Sequence, residues 1–406
     1  MAGKRILFSI VPGSGHLNPI VAFARALESE GHEVRVASTR AFGWAIRAAG
    51  LTPVGHGPDW DGREAGSELA DAGATNPLEQ LNWLVAKTAV PAAEGIAELA
   101  REWRPDLIIR DNLSFGGWLS GDELGIPVAV FALSAPMPAM VARMIIGEEL
   151  AAARATRGLA VDDELSTLQG VVTLDTTPPS LEDGMSAFVT NRRPLRPVQV
   201  ASAAEAEAPA WLADLVGRPI LYVTMGTVLS HNVLVFQKIA AAVAALDVDV
   251  VMTIGISGDI AALGELPANV RVARYIDQDL ILDRASAVVC HAGRGTAYGS
   301  LTAGLPMCLV PLGTDQPLVA AACERAGVAV LCTTATVQMG PNTVGIAAPE
   351  DVTVEVLRAG IERALTDPGL RRRAGELAAE IAAMPAPAEV AADVASLMSE
   401  AVPAGG

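Results

Sequence analysis

His16 stands in Gly13-Ser14-Gly15-His16-Leu17-Asn18-Pro19, directly after the apolar run 6–11. An imidazole with an ordinary pKa of about 6.5 is suited to take a proton from an alcohol near neutral pH, provided a partner fixes its tautomer. Asp111, at the end of Asp106-Leu107-Ile108-Ile109-Arg110-Asp111, is the candidate partner, giving a base and its orienter. The competing reading is that His16 only packs in its loop and Asp111 caps the next helix; spacing alone leaves both open. Farther along, Cys290-His291-Ala292-Gly293-Arg294-Gly295-Thr296 carries an apolar strand into a helix through glycines. Glycine lets backbone N–H groups approach an anion, a helix start favours negative charge, and Thr296 adds a hydroxyl. This is a candidate diphosphate cradle, with His291 as a further donor. Met225-Gly226-Thr227 offers a second loop of the same kind. Asp315 and Gln316 precede Pro317, where they either cap a helix or hydrogen-bond sugar hydroxyls.

The elements that must position these residues alternate. The pattern predicts strand 5–11, helix 19–30 with Asn18 as N-cap, strand 33–38, helices 40–49 and 78–102, strand 106–110, helix 115–124 and strand 128–132. Residues 191–218 lose periodicity and gather Pro, Ala and Glu, which marks a linker. A second half follows with strands 220–225, 249–254, 270–273, 287–291 and 307–311 and helices 234–246, 296–303 and 317–326. The expected fold class is α/β: two doubly wound, Rossmann-like parallel sheets whose carboxyl edges face an interdomain cleft. The expected divisions are an N-terminal domain 1–200, a linker 201–217, a C-terminal domain 218–384 and a C-terminal helix in 385–406.

At 406 residues the chain exceeds what one core usually serves, which agrees with two domains. A net charge of -17 repels polyanions, so no nucleic-acid partner is expected. Cys290, Cys308, Cys323 and Cys332 show no C-x-x-C spacing and fit buried thiols in a reducing cytoplasm. The most apolar later stretch, 128–146, contains Pro136, Pro138 and Arg143, so no membrane insertion is expected. The other histidines, His32, His56 and His231, read as exposed or locally bonded. The triplets Asp247-Val248-Asp249 and Asp277-Gln278-Asp279 fall at a helix-to-strand junction and in a binding segment, and no metal site is expected on them.

The motifs GHLNP, PDLIIRD, VTMGT, RYIDQ, HAGRGT and GTDQPLVAAACERAG, in this order over nearly the whole chain, resemble the inverting GT-B glycosyltransferases of family 1, in particular the bacterial macrolide and natural-product branch. The resemblance implies an N-terminal acceptor-binding domain with His16 as general base and Asp111 as its partner. It further implies a C-terminal nucleotide-sugar domain. There Gly226, Thr227, His291, Gly293, Gly295 and Thr296 hold the diphosphate, Tyr275, Ile276 and Gln278 meet the nucleobase, and Asp315 and Gln316 touch the sugar. Asp277 replaces the usual proline, Arg294 a usual small residue, and Gly299 the ribose-binding glutamate of plant members, so a dTDP-sugar stands beside a UDP-sugar as donor. The implied co-substrates are the nucleoside diphosphate sugar and an apolar small-molecule acceptor, without cofactor or metal, in a monomer or homodimer. As in the proteins it resembles, the amphipathic segment 389–401 is expected to cross back to the first half. Phe131, Met137, Met140 and Met144 are candidate acceptor-pocket residues, against the reading that they are ordinary core. Two rivals share the fold: a nucleotide-sugar 2-epimerase and a non-catalytic sugar-nucleotide-binding auxiliary protein.

Overall fold

The computed structural model describes residues 3–57, 59–60, 68, 77–133, 137–182, 186–198, 209–226, 232–256, 258–339, 342–393 and 398. Thr227 and His231 lie outside the described residues. The first unit comprises residues up to Thr177, those from Glu182 to Ala203, and those from Met384 onward. The second comprises Pro178–Leu181 and Ala204–Ala383.

In the first unit the strands are β1 (Arg5–Ser9), β2 (Glu33–Thr39), β3 (Pro53–His56), β4 (Leu107–Asp111), β5 (Val128–Ala132), β6 (Val172–Asp175) and β7 (Arg192–Pro194). They form one parallel sheet in the order β3-β2-β1-β4-β5-β6-β7. β4 and β5 are buried at every position, as befits strands covered by helices on both faces. Ile6, Phe8 and Ile109 join one core layer with Phe23 and Leu27 of helix α1 (Ser14–Ser29), while Leu7 and Ile108 join another on the opposite face. The remaining helices are α2 (Gly43–Ala48), α3 (Pro77–Trp103), α4 (Phe115–Leu124) and α5 (Ala139–Thr156).

The second unit repeats the plan. Strands β8 (Ile220–Thr224), β9 (Asp249–Thr253), β10 (Val270–Ala273), β11 (Ala287–Cys290), β12 (Met307–Leu309) and β13 (Ala329–Leu331) make a parallel sheet in the order β10-β9-β8-β11-β12-β13. Its helices are α6 (Val233–Val243), α7 (Gln278–Leu282), α8 (Arg294–Thr302), α9 (Gln316–Arg325), α10 (Val354–Thr366) and α11 (Pro368–Ala383), with a hairpin of β14 (Ala335–Met339) and β15 (Asn342–Ile346). The chain then enters α12 (Pro387–Ala392), which packs on α1 and places Val390 and Ala391 in the core layer of Leu17 and Ile20.

Two expectations about the first helix are corrected. Helix α1 begins at Ser14, not Pro19, because the Gly13 carbonyl already accepts from His16 and Leu17 N–H at 3.0 Å each. Pro19 is accommodated inside the helix at the loss of one bond, and Asn18 is no cap. His56 is locally bonded, its Nδ1 lying 2.9 Å from the Gly57 carbonyl oxygen, and it is buried as well: it ends β3, where α3 approaches so closely that a Cβ on Gly95 would fall 2.5 Å from that of His56. Burial lowers its pKa from the ordinary 6.5. β6, β7, β13 and the hairpin were not foreseen, since each is only three to five residues long and weakly apolar or polar in alternation. Among the described residues no helix is long and apolar enough to cross a membrane.

Candidate active site

In each sheet the strand order reverses once, between β1 and β4 and between β8 and β11. Chains leaving such a pair diverge to opposite faces and open a crevice at the carboxyl edge, where ligands of these sheets bind. His16, Asp111, Gly226 and His291 stand at or just beyond the carboxyl ends of these four strands.

His16 lies in the first turn of α1 and Asp111 is the last residue of β4, which brings Nδ1 to 2.9 Å from Asp111 Oδ2. Asp111 is 0% exposed, and its oxygens accept four bonds: from Val11 N–H at 2.8 Å, His16 at 2.9 Å, and Leu113 and Ser114 N–H at 2.7 Å each. The two sequence readings of Asp111 are therefore compatible: one oxygen closes the turn into α4 while the other orients His16. An acceptor so occupied fixes the proton on His16 Nδ1 and the lone pair on Nε2. The His16 side chain keeps 24% exposure, enough to meet a ligand.

In the second unit β11 delivers His291 into the gap between two glycines. A Cβ on Gly226 would lie 2.6 Å from His291 Cε1, and one on Gly293 would overlap His291 Nε2. Gly226 also has φ +72°, a conformation that favours glycine. His291 Nδ1 is buried without a partner among the described residues, which suits a lone pair there better than an orphaned N–H. The proton is then on Nε2, beside Gly293, the N-cap of α8. Thr296, in the first turn of α8, is buried and its hydroxyl oxygen accepts from Gln278 Nε2 at 3.1 Å, which leaves its own proton to donate. Gly295 sits in the same turn. A helix start, a hydroxyl and a neutral imidazole thus converge, a set of donors suited to a diphosphate.

Burial pushes the His291 imidazole down from its ordinary 6.5 to about 4. The unfolded chain binds a proton there below 6.5 but the folded chain only below about 4, so the stabilisation is complete above 6.5 and is lost as pH falls through that window. The melting temperature of the wild type is expected to fall more steeply across this range than that of His291→Asn. Parallel pH profiles of the two proteins would refute this assignment.

The other predicted residues are placed as follows. Tyr275 donates its hydroxyl to Asp277 Oδ1 at 2.6 Å, so the aspartate that replaces the usual proline fixes the tyrosine ring. Ile276 is buried in the core beneath it. Gln316 is buried, and its Oε1 accepts from Leu312 and Gly313 N–H at 2.9 and 3.2 Å, which makes it a brace for the loop. Asp315, the N-cap of α9, makes no capping bond with its side chain and holds its carboxylate at the helix start. Arg294 folds along α8, donating from Nε to the Tyr298 hydroxyl at 3.0 Å. Asp249 is engaged by Arg218, and among the described residues no cluster of three or more His, Cys, Asp or Glu side chains could hold a metal ion.

The acceptor-pocket expectation is corrected at Phe131. Phe131 is 1% exposed and its ring packs 6.3 Å from that of Phe23, because β5 turns this position toward α1. Met140 and Met144, one turn apart on the outer side of α5, are 54% and 81% exposed. Met137 lines a cavity. Sequence reasoning missed two features: a buried floor in which the Tyr222 hydroxyl and Thr253 Oγ1 lie 3.0 Å apart beneath the cradle, and Arg110. A polar or charged residue inside an otherwise apolar strand, as at Tyr222 and Arg110, or closing one, as at Thr253, was the available signal.

Solved structures that share this architecture are glycosyltransferases. SnogD from Streptomyces nogalater superposes with a TM-score of 0.76 at 28% identity, over 98% of this chain and 99% of that one. VinC, solved in complex with dTDP, superposes with a TM-score of 0.77 at 23% identity, over 97% and 99%. The fold is GT-B, and the class is glycosyltransferase. More narrowly, the chain belongs to the family of erythromycin biosynthesis protein CIII-like glycosyltransferases, whose N-terminal domain matches residues 25–226 and whose C-terminal domain matches residues 237–397. Among its relatives are tylactone mycaminosyltransferase of Streptomyces fradiae, 30% identical over 95% of this chain and 90% of the relative, and TDP-daunosamine transferase DnrS of Streptomyces peucetius, 27% identical over 95% of each. It is a glycosyltransferase of antibiotic and natural-product biosynthesis. That membership gives no support to the epimerase and auxiliary readings.

Proposed function

We propose that the chain transfers a deoxysugar from dTDP to a hydroxyl of a polyketide-like acceptor, with inversion and without a divalent metal. The observation that carries this reading is the His16 Nδ1 to Asp111 Oδ2 bond at the point where the first sheet reverses. His16 Nε2 takes the acceptor's O–H proton as that oxygen attacks the anomeric carbon. The bond from the anomeric carbon to the phosphate oxygen breaks on the opposite face, and the diphosphate leaves with the electron pair. Its growing charge meets the start of α8, the Thr296 hydroxyl and the His291 N–H, and one preorganised donor of this kind is worth ~3 kcal/mol. Tyr275 and Ile276 receive the nucleobase and Asp315 the sugar, while Gln316 holds the loop between them.

Two observations support a thymidine nucleotide. Gly299 has no side chain to bond a ribose hydroxyl. Solved structures of the same fold, VinC and SsfS6, carry dTDP or thymidine diphosphate. Calorimetric titration with EDTA present is expected to give at least tenfold tighter binding of dTDP than of UDP, about 1.4 kcal/mol. Equal affinities would defeat the nucleotide assignment, and restoration of binding only on adding magnesium would defeat the metal-free one.

A further inference from the structure

Arg110 is a cation in the interior of the first unit, 2% exposed, on the face of β4 opposite Asp111. Among the described residues its guanidinium meets only neutral groups: Nη1 donates to the carbonyls of Asp111 and Asn112 at 3.0 and 3.1 Å, Nη2 to that of Leu168 at 2.6 Å, and Cζ lies 5.7 Å from the centre of the Phe115 ring. Nε is buried with no partner among the described residues. The nearest carboxylates are committed elsewhere. Asp111 is filled by its four donors, and Asp122 of α4 is paired with Arg154 of α5, which lies over Trp118. Burial lowers its pKa to about 10 although Asp111 and Asp122 act on it as opposite charges from nearby, so this arginine is charged at neutral pH with no carboxylate in direct contact among the described residues.

Against this cation lies a cavity of about 30 Å³, lined by Arg110, Phe115, Met137, Ala142, Ile146 and Leu168. That volume exceeds the ~10–15 Å³ that one water-sized atom requires. Apart from Arg110 and a few polar groups its walls are apolar, so an anion there meets a single strong partner in a low-dielectric setting.

We propose that this cavity is an anion site in which Arg110 Nε binds one negatively charged atom, supplied by the carboxylate or phenolate end of the acceptor or by a solvent halide. The acceptor source rests on the reading that the first unit holds the acceptor; the halide source does not. Arg110 would then serve as a selector: acceptors bearing an anionic oxygen bind through it, and those lacking one forgo that bond.

The probes are bromide and the pair benzoate and benzamide. Crystals grown in sodium bromide are expected to show anomalous density within about 3.5 Å of Arg110 Nε. Bromide, compared with sulfate at equal ionic strength, is expected to raise the melting temperature by roughly 2–4 °C. Arg110→Met should abolish that rise and Arg110→Lys retain part of it; should the methionine variant not fold, the lysine variant and the wild-type crystals still decide. Displacement of bromide by benzoate but not by benzamide assigns the site to an acceptor's charged end. Bromide binding without displacement overturns the acceptor source. Absence of both bromide density and the bromide-specific rise overturns the site itself, whatever the nucleotide titration gives.

Discussion

Replacing His16 by alanine is expected to lower kcat by roughly 100- to 10,000-fold, the range one general base supplies, while the affinity for dTDP stays unchanged. The separation follows from placement: His16 belongs to the first unit and the diphosphate donors to the second. Asp111→Asn is expected to cost about as much, through the tautomer. An asparagine can offer one carbonyl oxygen to donors that now use two, and its amide group would face N–H groups from Val11, Leu113 or Ser114. The loss of those bonds predicts destabilisation of about 1–3 kcal/mol, visible in melts. Because the pair acts as a unit, the double variant should be no slower than the slower single variant. Additive losses in steady-state kinetics would show that the two residues do not work through one another.

Gly293→Ala carries the second large effect. The added methyl overlaps His291 Nε2, and the ring cannot retreat toward Gly226, where it is already in close contact. Either the imidazole leaves the cradle or the start of α8 shifts, and both separate donors that must converge on the diphosphate. Affinity for dTDP is expected to drop by at least 100-fold, the equivalent of about 2.7 kcal/mol, with kcat/KM falling in step. Thr302→Ala, exposed at the far end of the same helix, is the control and should keep the helix start intact. If the two alanine variants bind dTDP alike, His291 is not part of the cradle.

The parts of this molecule that were legible in its sequence share one property: the local pattern and the final environment agree. Phe115–Leu124, Val128–Ala132 and Val270–Ala273 were read to the residue, since an apolar run bounded by turn signals has one sensible outcome inside a doubly wound unit. His16, Asp111 and His291 could be singled out because each follows a strand and precedes a helix. The pairing of His16 with Asp111 could be put forward but not decided from spacing, because it depends on β1 and β4 being neighbours, and strand order is decided by packing over a hundred residues rather than by local pattern. The same blindness misplaced Phe131, whose neighbour across the core, Phe23, is far away in the chain. It also hid Arg110, which in sequence is one more charged residue before a loop and in the structure is a buried cation.

The assignment of residues from Met384 onward to the first unit has a consequence for synthesis and for recombination. Until Val390 and Ala391 have left the ribosome, the side of α1 that bears Leu17 and Ile20 lacks their cover, so the first unit is completed only after the second has been made. A hybrid made by a single crossover in the linker would graft a foreign tail onto the native first unit. Exchanging second units between relatives therefore calls for two crossovers, near 204 and near 383, so that each first unit keeps the closing helix with which its first helix packs.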